Sequence, residues 1–249
     1  MIADMHCHLD LYPDYVRVAQ DARTQGIWVL AVTTTPKAWH GTRERLNSFP
    51  NIHVAVGLHP ELVQSRAHEL PLLESVVGGT AFIGEVGLDG SPQLRKHIGL
   101  QQKIFRQILY SCERAGGKVL TIHSRRAVTE VLACIEERRD CGLPILHWFT
   151  GSKSELEFAK RLDCWFSVGP QMFLTPVGIQ RVSSMPRDRI LLETDGPFGK
   201  VNDQVLTPAA VQQAIGMLGK IWRISPEDAQ LQIENNQQAI WRFAGIKNP

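Results

Sequence analysis

The chain contains 249 residues, and its 27 Lys and Arg residues nearly balance its 25 Asp and Glu residues, which gives a formal charge of +2. This balance excludes a polycationic nucleic-acid coat and an acidic tail protein. Hydrophobic residues make up 43% of the chain and charged residues 21%, which excludes extensive disorder and allows a large core. We therefore expect one domain over residues 1–249.

The longest purely apolar run, Ile27 to Val32, has six residues, whereas about 20 are needed to cross a bilayer. Asp4 and His6 fall where an export signal would require apolar residues. The five cysteines form no CxxC pair, and this pattern favours free thiols in a reducing compartment. These features predict a cytoplasmic protein without a membrane partner.

Short runs rich in Val, Ile and Leu alternate with longer segments of helical periodicity. The predicted strands are Ile2 to His6, Ile27 to Thr33, His53 to Leu58, Ala81 to Val86, Lys118 to His123, Pro144 to Trp148, Cys164 to Gly169 and Arg189 to Glu193. The predicted helices are Asp14 to Gln25, Ala38 to Ser48, Glu61 to Val77, Gln93 to Ala115, Arg126 to Arg139, Lys153 to Leu162 and Val177 to Met185, followed by a tail from Pro208 to Trp222 and from Pro226 to Phe243.

Eight strand–helix units in about 250 residues match the usual size of a TIM-type (β/α)8 barrel. The predicted fold class is therefore α/β, a (β/α)8 barrel with an additional C-terminal helical tail, and a doubly wound open sheet is the alternative. Residues 196–207 show the least regular pattern, and we expect them to form a loop over the site.

Potential metal ligands stand at the ends of five predicted strands. His6 and His8 flank Cys7, so strand alternation directs both imidazoles to one face. In a barrel, the carboxyl ends of the strands meet at one mouth. The six candidate ligands are His6, His8, Glu85, His123, His147 and Asp195. Because this set exceeds the needs of one tetrahedral ion, we predict two divalent ions about 3.5 to 4 Å apart.

The expected division gives His6 and His8 to the first ion and His123 and His147 mainly to the second. Glu85 bridges the two ions in this interpretation, and Asp195 contacts the first ion and the attacking water. Imidazoles suit Zn or Mn, and the carboxylates also admit Mg.

Six segments together resemble the TatD family of metal-dependent deoxyribonucleases, within the amidohydrolase-like barrels. They are MHCHLD at the start, VGLHPE from Val56, IGEVGLD from Ile83, IHSR from Ile122, HWFTGS from His147 and LLETDGPF from Leu191, and ENNQQAIWRF resembles the closing helix of the family. The resemblance implies a barrel fold, a divalent-metal site at the six candidate ligands and hydrolysis of DNA phosphodiester bonds.

The chain departs from the family pattern in three places. Gly90 and Ser91 replace the usual aromatic residues after GLD, Arg126 replaces an acidic residue after IHSR, and residues 199–206 lack the usual Arg-Asn-rich stretch. These departures leave the substrate preference open. With these departures, the sequence resembles a divergent branch of the family, such as the QatD-type proteins linked to anti-phage operons.

We expect His59 to contact phosphate or to donate to a ligand, although a histidine that fixes the turn before Pro60 is an equal alternative. Arg125 and Arg126 are expected to hold phosphate oxygens. Trp148, Phe149 and Phe198 are candidates for contacts with nucleobases.

The small net charge disfavours electrostatic binding of long DNA duplexes and favours binding of single-stranded DNA or strand ends. We predict a phosphodiester hydrolase, an exonuclease with Asp195 as general base. The alternatives are a small-molecule amidohydrolase or phosphoesterase, and a non-catalytic subunit that works with other protein subunits in a larger complex of the anti-phage type.

Overall fold

The computed structural model describes residues 1–247. Strands and helices alternate along most of the chain. In chain order they are β1 (Ile2–Cys7), α1 (Tyr15–Thr24), β2 (Ile27–Val32), α2 (Pro36–Leu46), β3 (Ile52–Ala55), α3 (Val63–Arg66), α4 (Leu70–Val76), β4 (Phe82–Gly87), α5 (Ile98–Arg114), β5 (Lys118–His123), α6 (Val128–Glu136), β6 (Gly142–His147), α7 (Lys153–Arg161), β7 (Trp165–Val168), α8 (Pro176–Ser183), β8 (Ile190–Leu192), β9 (Lys200–Val201), β10 (Gln204–Val205), α9 (Val211–Trp222) and α10 (Pro226–Phe243).

The local sequence explains these elements. Strands β1, β2 and β4 are buried along their whole length, as expected for parallel strands covered by helices. Helix α10 begins where predicted, because Pro226 occupies the first helical turn and the Ser225 side chain accepts a hydrogen bond from the Asp228 amide at 3.0 Å. Within the described residues, no helix is long and apolar enough to cross a membrane.

The chain divides into two compact units. The first unit contains residues 1–31, 45–53 and the described residues from 166 onward. In it, β1 pairs in parallel with β2, and β7 pairs in parallel with β8. Strand β1 also meets the segment that follows β8, because the Asp195 amide donates to the His6 carbonyl at 2.9 Å and the His8 amide donates to the Gly196 carbonyl at 2.8 Å. This unit therefore joins the two ends of the chain that carry candidate ligands.

Helix α10 explains the polar ENNQQ segment near the C-terminus. The buried Gln237 side chain accepts a hydrogen bond from the Ala3 amide and donates to the Met1 carbonyl. Asn236 donates to the Arg187 and Ile190 carbonyls, each at 2.7 Å. These amides satisfy backbone groups at the ends of β1 and β8, which a purely apolar helix would leave unpaired.

The second unit contains residues 32–44 and 54–165. Strands β4, β5 and β6 pair in parallel, and Val56 forms an isolated parallel bridge to Ile83. The Glu85 amide donates to the Thr33 carbonyl at 3.1 Å, so backbone contacts fix the end of β4. The strand ends that carry Glu85, His123 and His147 all belong to this unit.

Three sequence expectations needed correction. The predicted third strand ends at Ala55 instead of Leu58, because the Gly57 amide donates to the Thr33 hydroxyl and leaves the ladder. The single helix predicted over Glu61 to Val77 is divided into α3 and α4, with Pro71 in the first turn of α4. The expected loop 196–207 contains the antiparallel hairpin β9–β10, whose turn residues Asn202 and Asp203 have φ values of 50° and 61°.

Candidate metal centre

The first ligand cluster consists of His6, His8 and Asp195, all buried in the first unit. Asp195 Oδ1 lies 3.6 Å from His6 Nε2 and 3.6 Å from His8 Nε2. These distances are longer than hydrogen bonds. Three donor atoms at about 2.1 Å from a shared tetrahedral cation would be about 3.4 Å apart, so the spacing fits a metal ion. The structure brings these three predicted ligands together.

The backbone around Asp195 directs its carboxylate towards the histidines. Asp195 adopts a left-handed conformation with φ of 51°, which is uncommon for a residue other than glycine. Its amide is held by the His6 carbonyl, and its own carbonyl accepts from the Gly199 amide at 2.8 Å. The buried Cys7, between the two histidines, has its Sγ 3.5 Å from the Gly196 carbonyl oxygen.

Asp4 fixes the segment that carries His6 against the segment that carries Asp195, and the sequence analysis did not identify this role. Its carboxylate accepts hydrogen bonds from the His6 amide at 3.2 Å, from the Thr194 amide at 3.0 Å and from the Thr194 hydroxyl. Burial raises the pKa of Asp4 well above its usual range, although these hydrogen bonds act in the opposite direction. The available signal was an acidic residue inside an apolar strand, where a carboxylate requires partners.

The second ligand cluster is centred on Glu85 in the second unit and contains His59, His123 and His147. Glu85 Oε1 lies 2.7 Å from His123 Nδ1, 3.1 Å from His147 Nε2 and 3.3 Å from His59 Nε2. Glu85 is buried, so its carboxylate requires positive charge or donors nearby. Several nitrogen donors around one carboxylate form a suitable environment for a divalent cation.

His59 differs chemically from the other two histidines of this cluster. Its Nδ1 accepts a hydrogen bond from the Glu61 amide at 3.2 Å. The neutral ring therefore carries its proton on Nε2, the atom that faces Glu85. This geometry directs the Nε2–H of His59 towards the Glu85 carboxylate oxygen 3.3 Å away, while Nδ1 holds the turn that follows His59.

Both ring nitrogens of His123 contact carboxylates. Nδ1 faces Glu85, and Nε2 lies 2.9 Å from Asp89 Oδ2. Burial lowers the pKa of His123, but hydrogen bonds to Asp89 and Glu85 outweigh that effect and raise it overall. Burial likewise raises the pKa of Asp89, but hydrogen bonds from His123 and Ser91 outweigh it and lower the pKa to about 2. Asp89, which sequence reasoning also missed, thus orients this imidazole.

The predicted substrate contacts lie on segments that follow the ligand strands of the second unit. Arg125 and Arg126 are exposed, and Trp148, directly after His147, is half-buried. Arg126 and Trp148 have positive φ values of 53° and 40°. Gly90, a departure from the family pattern, packs so closely that a Cβ would lie 2.2 Å from the Arg126 carbonyl oxygen. A small residue at position 90 therefore brings the loop after β4 against the loop after β5.

Comparison with known proteins identifies the family of this chain. A family model described as TatD related DNase matches residues 3–242. The human protein named deoxyribonuclease TATDN3 is 28% identical over 79% of this chain and 78% of its own length. An uncharacterized metal-dependent hydrolase of Bacillus subtilis is 26% identical over 98% of this chain and 100% of its own length. The Pantoea vagans protein named 3'-5' ssDNA/RNA exonuclease TatD is 24% identical over 93% of this chain and 94% of its own length.

Solved structures agree on the fold. A TatD homologue from Escherichia coli superposes with a TM-score of 0.85 at 21% identity and covers 99% of this chain and 98% of its own. An uncharacterized TIM-barrel protein from Bordetella bronchiseptica gives a TM-score of 0.64 at 12% identity, with 98% and 99% coverage. The predicted fold class, an α/β TIM-type barrel with additional C-terminal helices, is confirmed.

Proposed function

We propose, from the premise that this chain belongs to the TatD related DNase family of metal-dependent hydrolases, that it cleaves phosphodiester bonds at the ends of single-stranded DNA. The observation that supports this proposal most directly is the presence of two clusters of imidazoles and carboxylates at the ends of strands, the first buried and the second partly buried. Nitrogen and oxygen donors in such clusters are the ligands of divalent hydrolase metals.

We assign two divalent ions to these clusters. His6, His8 and Asp195 would hold the first ion, and Glu85, His123 and His147 would hold the second. The donor set supports Zn or Mn through its imidazoles, and its carboxylates together with a phosphate substrate also admit Mg. When bound, the ions supply positive charge that acidifies a water molecule and neutralises the phosphodiester.

The side chains of this chain then act on the water and the substrate. Asp195 accepts the proton of the attacking water as general base. The Nε2–H of His59 keeps the Glu85 carboxylate oriented, and Asp89 keeps His123 oriented. Arg125 and Arg126, both exposed beside the second cluster, hold phosphate oxygens, and Trp148 contacts a base.

The preference for strand ends has two supports. The formal charge of +2 provides little electrostatic attraction for long duplexes. The Pantoea vagans relative carries the name of a single-strand exonuclease. The buried cysteines form no disulfide, which favours a reducing compartment, and we place the enzyme in the cytoplasm. Its membership of an anti-phage branch stays a prediction.

The test combines cleavage, metal content and a matched variant. Linear and circular single-stranded DNA are incubated with the purified chain and with Mg, Mn or Zn, with and without a chelator. We expect cleavage of the linear substrate alone, its loss in the chelator, and two equivalents of metal by elemental analysis. Asp195→Asn should keep the fold by circular dichroism and lose cleavage, and His6→Ala should retain one ion.

Other outcomes separate the alternatives. Cleavage of circular DNA would indicate an endonuclease. An inactive protein on DNA that hydrolyses small phosphodiesters or cyclic amides would favour the small-molecule hydrolase. Full biological function in Asp195→Asn would favour a non-catalytic subunit of a larger complex.

A further inference from the structure

We propose that Phe198 is the platform on which the nucleobase at the strand end stacks during binding. This inference rests on the proposed function and specifies how the substrate is held beside the first ligand cluster. The base stacks on the aromatic face of Phe198, which any of the four bases can use, and the side chain of Lys200 supplies the neighbouring positive charge.

Phe198 is 58% exposed, although it follows the buried Asp195 by three residues. Its ring centroid lies 5.1 Å from that of His8, with the two ring planes at 85°. A single exposed apolar side chain is ordinary on a protein surface. Phe198 is distinguished by its edge-to-face contact with a candidate metal ligand, which leaves most of the ring open to solvent at the site.

The backbone around Phe198 is firmly held, so its exposure is not the consequence of a loose loop. The Gly199 amide donates to the Asp195 carbonyl, and the Leu206 amide donates to the Gly199 carbonyl at 2.9 Å. The Tyr12 hydroxyl donates to the carbonyl of the buried Leu206. A fixed aromatic ring loses little conformational entropy when it binds a base.

The chemistry of the neighbouring hairpin fits a single strand. Lys200 is exposed at the start of β9, two residues after Phe198, and can pair with a backbone phosphate. Aromatic stacking combined with cations is the usual means of binding single strands without sequence preference. Phe149, the other phenylalanine considered from the sequence, is completely buried and cannot stack on a base.

The test measures binding of fluorescein-labelled decamers by anisotropy in an Asp195→Asn background, which prevents cleavage. Stacking contributes about 1 to 3 kcal/mol per base, so Phe198→Ala should raise Kd by roughly 5- to 150-fold. Phe198→Tyr should stay within about 2-fold of the parent, because it keeps the ring. Phe198→Leu should resemble the alanine variant, because it retains apolar packing on His8 without an aromatic face.

Two controls isolate stacking. Phe243→Ala removes another exposed phenylalanine, 48% exposed at the end of α10, and should leave Kd unchanged. A decamer with abasic sites at both terminal positions should bind the parent weakly, and Phe198→Ala should cause no further loss. Equal losses on intact and abasic decamers, or wild-type binding by Phe198→Leu, would overturn the proposal.

Cleavage and binding report separately on the two proposals. If Asp195→Asn binds with this pattern but the wild-type chain cleaves no DNA, the stacking platform stands and the nuclease assignment is refuted. If the wild-type chain cleaves DNA while Phe198→Ala in the Asp195→Asn background binds like its parent, the platform alone is refuted. A parent that fails to bind the decamer would also overturn it.

Discussion

Gly57→Ala should displace the backbone of the candidate bridging residue Glu85. A Cβ at position 57 would lie 2.2 Å from the Thr33 carbonyl oxygen and 2.3 Å from the Glu85 nitrogen. Real Cβ atoms essentially never approach closer than 3.0 Å. The new methyl group therefore falls on the hydrogen bond that joins the Glu85 amide to the Thr33 carbonyl, and these are backbone atoms that no rotamer change can move.

The size of the effect follows from this overlap. Relief of the contact requires a backbone shift of about 1 Å, and overpacking of this kind costs roughly 1 to 3 kcal/mol of unfolding free energy. A misplacement of about 1 Å at a reacting centre can lower the rate by about 100-fold. We therefore expect a folded but less stable protein, with weakened binding of the second ion and about 100-fold lower hydrolysis.

The matched control is Gly41→Ala in helix α2 of the same unit, where an added Cβ meets nothing within 4 Å. This variant should gain about 0.5 to 1 kcal/mol, because alanine favours the helix over glycine. Urea unfolding gives the stability of both variants, and chelator competition gives their metal affinity. Wild-type metal affinity and wild-type activity in Gly57→Ala would refute the reasoning.

Three further changes test contacts that the structure revealed. Asp4→Ala leaves the buried His6 and Thr194 amides without an acceptor, which should lower the unfolding free energy by about 1 to 3 kcal/mol for each amide, whereas Asp4→Asn keeps an acceptor and should lower it less. Equal urea midpoints for the two variants would contradict this role of Asp4. Asp89→Ala should weaken metal binding about 10- to 100-fold, because His123 loses the carboxylate that orients it, and chelator competition measures that loss. Burial raises the pKa of the Cys134 thiol to about 11 and that of Cys141 to about 12. All five thiols are buried and none is in a disulfide, so a thiol reagent at pH 8 should detect none in the folded protein and five after denaturation. Rapid labelling of the folded chain would show that the interior opens.

The order of elements and their approximate bounds followed from local pattern. Lys118 to His123 is a strand in both the prediction and the structure, and α10 begins at Pro226 as its Ser-Pro signal indicated. The prediction of a single helix over Glu61 to Val77 was wrong, because hydrophobic periodicity does not show the short 3-10 turns that interrupt the helix before Pro71. The hairpin β9–β10 was missed because two-residue strands have no periodicity to read.

The candidate ligands were predictable because imidazoles and carboxylates at the ends of apolar strands are chemically conspicuous in the sequence alone. In the structure His6, His8 and Asp195 lie together in one unit, and Glu85 lies with His59 and His123 in the other, with His147 Nε2 3.1 Å from Glu85 Oε1. That each of them binds a metal stays a prediction.

The amino-acid sequence by itself determined the strand–helix alternation, the family and the donor types, since each depends on residue chemistry and short-range spacing. Only the tertiary structure decided that Asp4 anchors Thr194, 190 positions away, that Asp89 orients His123, and that Phe198 stays exposed against His8. The physical reason is that these contacts join segments far apart in the chain, and their energies depend on burial and distance, which arise only when the backbone has closed around them.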